Sequence, residues 1–258
     1  MKFAECVLPA EYKKLDVHLL GDWHVGDPLC DYAAVEEAVQ VIADAPETAC
    51  ILAGDLCDMA LRSSVGDCHG AVFGPMQQVE AIVTLLEPLV AQGKVLGMVS
   101  GNHERRVYKQ TGIDPMAFAA EQLGIADRYS DGQLVLFVRF GNERKHGGKM
   151  LYSMLVTHGT GGGRKEGGKT QRVADLQNIA DCDIYCHGHT HLPGVFSTGF
   201  LRVNNEHRSG VVVDHLFVCG GSMLDYGGYG EQGCMKPASK RWPVIHLSSG
   251  EKRYCATM

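Results

Sequence analysis

Apolar positions along the first half of the chain fall into short unbroken runs separated by stretches of helical period. LDVHLLGD (15–22), ACILAGD (49–55) and KVLGMVSGN (94–102) read as strands buried on both faces. Between and after them, YAAVEEAVQVIADA (32–45), PMQQVEAIVTLLEPLVAQG (75–93) and PMAFAAEQLG (115–124) repeat apolar residues every three to four positions and read as helices, with Pro88 as a kink point. This β-α-β-α-β order predicts a largely parallel sheet covered by helices. The second half changes character. QLVLFVRFG (133–141) and KMLYSMLVTHG (149–159) flank a Gly-rich charged turn and predict a hairpin, followed by a helix over 170–181. Further strand-like runs begin at Ile184 and cover 210–221 and 241–249. The expectation is one compact α/β domain over 1–258, built from two packed sheets with helices outside.

Every buried-type strand ends in polar residues: Asp22-Trp23-His24, Gly54-Asp55, Gly101-Asn102-His103-Glu104, His158-Gly159, and the stretch from His187 through His189 to His191. Ligands bind in the loops at the carboxyl ends of strands in such sheets. Taken singly, each residue has a plain structural reading: an Asp or Asn as turn former, a His as a satisfied interior side chain. The set does not, because converging carboxylates repel one another unless a cation lies between them. Carboxylate, amide oxygen and imidazole together suit Mn, Fe(II) or Zn.

Composition narrows the classes. The 258 residues are 45% hydrophobic, enough for a substantial core, and the net charge of −6 gives no sign of a broad nucleic-acid-binding face. The start MKFAECVLPAEYKK contains no continuous apolar stretch, and no uncharged apolar run approaches a membrane span, so a cytoplasmic location without membrane attachment is expected. The ten cysteines lack a small-scaffold disulfide pattern and are expected to be reduced; Cys182 and Cys186 are not spaced as CxxC.

The blocks GDWH (21–24), GD (54–55), GNHE (101–104), His158 and GHTH (188–191), in this order, resemble the signature of the calcineurin-like metallophosphoesterases. The resemblance implies a four-layer α/β/β/α sandwich with two mixed sheets flanked by helices. It also implies a pair of divalent ions, Mn foremost, with Fe, Zn or Ni as alternatives. Carried over block by block, Asp22, His24 and His191 hold one ion; Asn102, His158 and His189 hold the other; Asp55 bridges both. His103 matches the family's non-ligand histidine beside the scissile phosphate, where it stabilises developing charge or protonates the leaving alkoxide. Asp58, three residues beyond the bridge, is placed to orient a metal ligand from behind. His187 stands outside the block and has no assigned role.

The implied chemistry is hydrolysis of a phosphodiester, or a phosphomonoester, by metal-activated hydroxide, with a small phosphate ester as substrate. A DNA or RNA nuclease of the same superfamily is an alternative, and a protein-interaction scaffold on this fold is another. Filled ligand positions argue against the scaffold. Serine/threonine phosphatases of the superfamily resemble GDxxDRG and RGNHE, whereas the matching stretches here, GDLCDMA and SGNHE, lack both arginines. GRKEGGKT (163–170) fits the letters of a phosphate-cradling P-loop, but its first glycine comes too long after the strand expected to end near Val156. Within the Gly/Lys-rich loop 159–172, Arg164 and Lys169 are the expected substrate contacts. Specificity is expected in this loop and in loops 60–74 and 105–115.

Overall fold

A computed structural model describes residues 1–62, 64, 68–143, 149–161 and 163–258. The elements in order are β1 (Lys2–Val7), β2 (Lys14–Leu20), α1 (Tyr32–Asp44), β3 (Thr48–Leu52), α2 (Pro75–Ala91), β4 (Val95–Val99), α3 (Asn102–Thr111), α4 (Pro115–Gln122) and β5 (Tyr129–Ser130). They continue with β6 (Gln133–Glu143), β7 (Lys149–Thr157), α5 (Glu166–Ala174), β8 (Ile184–His187), β9 (Gly194–Asn204), β10 (Ser209–Cys219), α6 (Gly228–Gln232), β11 (Val244–Ser248) and β12 (Tyr254–Thr257).

The strands form two mixed six-stranded sheets, ordered β12-β11-β2-β3-β4-β5 and β1-β6-β7-β8-β10-β9. In the first, β2 to β5 run parallel, and β11 closes antiparallel on β2. Alternation along the strands sets the layers. Leu15, Val17, Leu19 and Ile51 point to the inner face, where they meet Leu136, Met154, Val156 and Val218 of the second sheet. Leu20, Leu52 and Met98 face outwards under Val35 and Ile42 of α1, Ile82 and Leu86 of α2, and Met116 of α4. On the far side Leu155, Tyr185 and Phe217 are covered by Val173 of α5 and by Leu176. The result is the expected α/β/β/α sandwich. Among the described residues no helix is long and apolar enough to cross a membrane.

Several elements depart from the sequence reading. β1, β9 and β12 were not visible as strands, because their residues are mostly half-buried or exposed and so carry no continuous apolar signal. The stretch after GNHE is not a loop: α3 starts at Asn102 itself. The helix expected at 170 begins at Glu166, and five residues separate Thr157 at the end of β7 from Gly163, which is not the strand-loop-helix connection of a P-loop. Pro88 lies in the last turn of α2, which runs through it. Residues 144–148 of the predicted hairpin turn lie outside the described residues, as do 63 and 65–67 of loop 60–74 and 162 of loop 159–172.

Candidate metal centre

The carboxyl ends of β2, β3, β4, β7 and β8 converge and bring together all seven residues singled out as ligands. The backbone there is unusual. Among the described residues, nine non-glycine residues have positive φ, and five of these are Asp22 (50°), His24 (52°), Asp55 (49°), His189 (66°) and His191 (51°). Left-handed backbone at an L-residue is strained by about 1–2 kcal/mol and persists only where surrounding structure fixes it. Concentrating it on one set of polar side chains is the mark of a functional site.

Two clusters of the expected ligands result, and a third group, His24, Asp58 and His103, lies against the first. In the first, His191 Nε2 lies 3.1 Å from Asp22 Oδ1 and 3.4 Å from His24 Nε2. In the second, His158 Nε2 is 3.2 Å from Asp55 Oδ2, 3.0 Å from Asn102 Oδ1 and 3.2 Å from His189 Nδ1. Within the groups Asp22–His24–His191 and Asp55–His158–His189, one potential ligand atom per residue lies within 4.8 Å of the others, close enough to share an ion. Among the described residues, buried His24 Nδ1 has no hydrogen-bond partner, so the first cluster leaves a polar atom without one. The donor set of carboxylate, amide oxygen and imidazole thus fits divalent metal ions.

Hydrogen bonds fix the tautomers. A carbonyl oxygen only accepts, so His158 Nδ1 donates to the Ala53 carbonyl at 2.8 Å, leaving Nε2 as the atom turned to the cluster. His103 Nδ1 likewise donates to the Asp58 carbonyl at 2.7 Å, with the Asp58 carboxylate 3.1 Å away. Its Nε2 then faces Asp55 Oδ2 at 3.8 Å. Asp58 therefore orients His103. The His103 and His191 side chains keep 20% and 31% of their surface, so this rim is open to solvent.

Charges within the centre are strongly interdependent. Burial opposes ionisation of Asp55, yet the His158 charge and hydrogen bond outweigh it and hold the carboxyl well below the usual range. Burial also works against protonated His158, but Asp55 raises it to about 10. His24, buried and beside His103, is pushed down to about 3. For His103, burial acts downwards while the Asp58 hydrogen bond and the Asp55 charge leave it raised.

Three supports were not assigned a role from sequence. Buried Glu104 accepts the amides of Asp55 (3.2 Å), Cys57 (3.0 Å) and Gly101 (2.8 Å), clamping the β3 loop to the start of α3. Its third position in a helix opened by Gly101 is the available signal, that of a capping box. Ser222 donates to the Asp22 carbonyl at 3.0 Å from the loop after β10, which carries no motif. His187 is buried behind Gly159, where an added Cβ would come within 1.9 Å of His187 Nε2. Of the expected substrate contacts, Arg164 is exposed, whereas Lys169 Nζ donates to the Thr190 carbonyl at 2.7 Å.

The sequence profile of the calcineurin-like phosphoesterases matches residues 15–193. No curated protein sequence matches the chain. Similar solved structures include a predicted phosphoesterase from Streptococcus pneumoniae TIGR4, at 14% identity and a TM-score of 0.39, covering 95% of this chain and 90% of that one. GAP50, the anchor in the inner membrane complex of Plasmodium, shares 12% identity with a TM-score of 0.46 over 92% of this chain and 82% of its own. A Vps29 double mutant from Entamoeba histolytica shares 14% identity with a TM-score of 0.41 over 94% and 98%.

Proposed function

The chain belongs to the calcineurin-like phosphoesterase family, and on that footing we propose that it hydrolyses a phosphodiester at a centre of two divalent cations, with Mn²⁺ as the working metal. Asp22, His24 and His191 hold one cation, Asn102, His158 and His189 the other, and Asp55 is shared. The observation that carries this reading is the left-handed backbone at five of these seven residues, whose side chains gather in two adjoining clusters. Asp55 Oδ1 accepts the His103 amide at 2.8 Å, which orients the carboxylate that would be shared between the cations.

When bound, the cations neutralise charge on the phosphoryl oxygens and lower the pKa of coordinated water. The chain supplies the rest. Glu104 fixes Asp55 in place by accepting its amide. Asp58 holds the His103 ring with Nε2 towards the centre, where a protonated imidazole stabilises the departing oxygen and gives it a proton. Arg164, exposed on the loop after β7, contacts the remainder of the substrate. The preference for a diester rests on the two places where the phosphatase signature has arginine. Here they hold Met59 and Ser100, both buried, so the second negative charge of a monoester lacks those counter-charges.

Hydrolysis of bis-p-nitrophenyl phosphate and p-nitrophenyl phosphate by metal-stripped protein, before and after addition of Mn²⁺, tests this. Mn²⁺-dependent turnover that favours the diester is expected. Preference for the monoester would make the protein a phosphatase, and no turnover with metal bound would favour a non-catalytic role.

A further inference from the structure

The turn that carries His189 and His191 is tied down peptide by peptide. Gly188 N donates to the Thr157 carbonyl at 3.3 Å, His189 N to Asp22 Oδ2 at 2.9 Å, and Thr190 N to the Gly188 carbonyl at 2.7 Å. All three ties come from the turn itself or from strand ends of the metal centre. The fourth comes from elsewhere. Lys169, on the second turn of α5 and 21 residues away in sequence, places Nζ 2.7 Å from the carbonyl of Thr190, the residue between the two histidines. Thr190 is only 5% exposed, so this carbonyl depends on a protein donor.

We propose that Lys169 is a positioning residue for the metal centre, fixing the His189–Thr190–His191 turn so that both cations bind more tightly. The inference rests on the two-cation reading above. The turn needs such a tie because His189 and His191 both have left-handed backbone, at φ 66° and 51°. A charge-assisted hydrogen bond to the peptide between them opposes relaxation towards ordinary backbone. Each histidine belongs to a different cluster, so loosening this one turn weakens both sites together.

A competing effect has the opposite sign. An ammonium group near two dications repels them, and on charge alone its removal would tighten metal binding. Lys169 is half-buried, so solvent screens its longer-range repulsion, whereas its hydrogen bond is made at a buried carbonyl. Positioning therefore wins. A lysine that only contacted substrate would leave metal affinity unchanged or raise it when neutralised, which makes the sign of the change decisive.

The test is calorimetric titration of Mn²⁺ into metal-stripped wild type, Lys169→Met and Lys169→Arg, with thermal melting of each metal-free form. Wild type binds two ions. Lys169→Met weakens both by about 10–100-fold, the usual effect of losing a group that orients ligands, while melting stays close to wild type. Lys169→Arg, which keeps charge and donor, restores most of the affinity. Should Lys169→Met not fold, Lys169→Gln serves the same comparison. Affinity in the neutral variant equal to or tighter than wild type would overturn the inference, including where KM alone rises. Failure of the wild type itself to bind Mn²⁺ would instead overturn the two-cation reading beneath it.

Discussion

His103 Nδ1 sits 2.7 Å from the main-chain oxygen of Asp58 and 3.1 Å from its carboxylate, so one residue fixes the tautomer, the orientation and part of the charge of the other. His103 has no ligand role in this account. His103→Ala should therefore retain both cations and lose about 10²–10⁴-fold in turnover, the usual contribution of a general acid. Metal content and kcat measured on one preparation check it, and loss of metal would make His103 a ligand.

Asp58→Asn should move the pH profile. Burial lowers the His103 pKa, and Asp58 and Asp55 together more than reverse this. Removing the Asp58 charge lowers it again, so the protonated acid disappears at lower pH. The alkaline limb of the kcat profile should shift to lower pH in the variant. An unmoved limb would show that the Asp58 contact does not tune the proton donor.

Gly101→Ala should disable the centre by sterics alone. Its Cβ would lie 2.0 Å from Asp55 Oδ1 and 2.2 Å from Asp55 N, so the shared ligand must move. The expected result is lost Mn²⁺ binding together with lost turnover. Gly112→Ala is the control: it has left-handed backbone at φ 74° but no atom within 4 Å of the added Cβ, and should lose only about 1 kcal/mol of stability. Equal metal binding by wild type and Gly101→Ala would contradict the geometry.

His187 should make the metal-free protein acid-sensitive. Its burial, foremost, pushes its pKa down to about 4, below the unfolded value near 6.5. Above pH 6.5 both states are neutral and the group has no effect. As pH falls from 6.5 towards 4, the unfolded state gains the proton first, and stability drops by up to about 1.4 kcal/mol per pH unit. Asp22 and Asp55 do not vary in this window. His24, pushed down to about 3, acts in the same direction as His187, and His158 and Glu104, raised to about 10 and about 7, act oppositely, so only the difference between variant and wild type isolates His187. Urea unfolding of chelator-treated protein at pH 7.5 and 5 should show that His187→Asn gains stability relative to wild type at the lower pH. An equal pH response in the two proteins would remove His187 as a cause.

How much was legible in the sequence depended on burial. β2, β3 and β4 announced themselves because both faces are covered, giving unbroken apolar runs that end in Asp22, Asp55 and Asn102. β9 did not, since Phe200, Leu201 and Val203 stay 46%, 60% and 62% exposed and mix with polar neighbours. The candidate ligands were legible for a related reason: each follows a buried strand in a short block. Supports that reach the centre across long sequence distances were not. Ser222 meets Asp22 from 200 residues away, and the Lys169 contact depends on where α5 begins. The helix expected at 170 starts earlier because Glu166, Gly167 and Gly168 are poor periodic signals, although Glu166 suits a first turn.

The central claim is that Asp55 joins two cations into one centre, and electron paramagnetic resonance during Mn²⁺ titration addresses it directly. The account predicts two ions per chain with the signature of a coupled pair, and loss of that signature in Asp55→Asn. A single ion at saturation, or a coupled pair that survives Asp55→Asn, would contradict it.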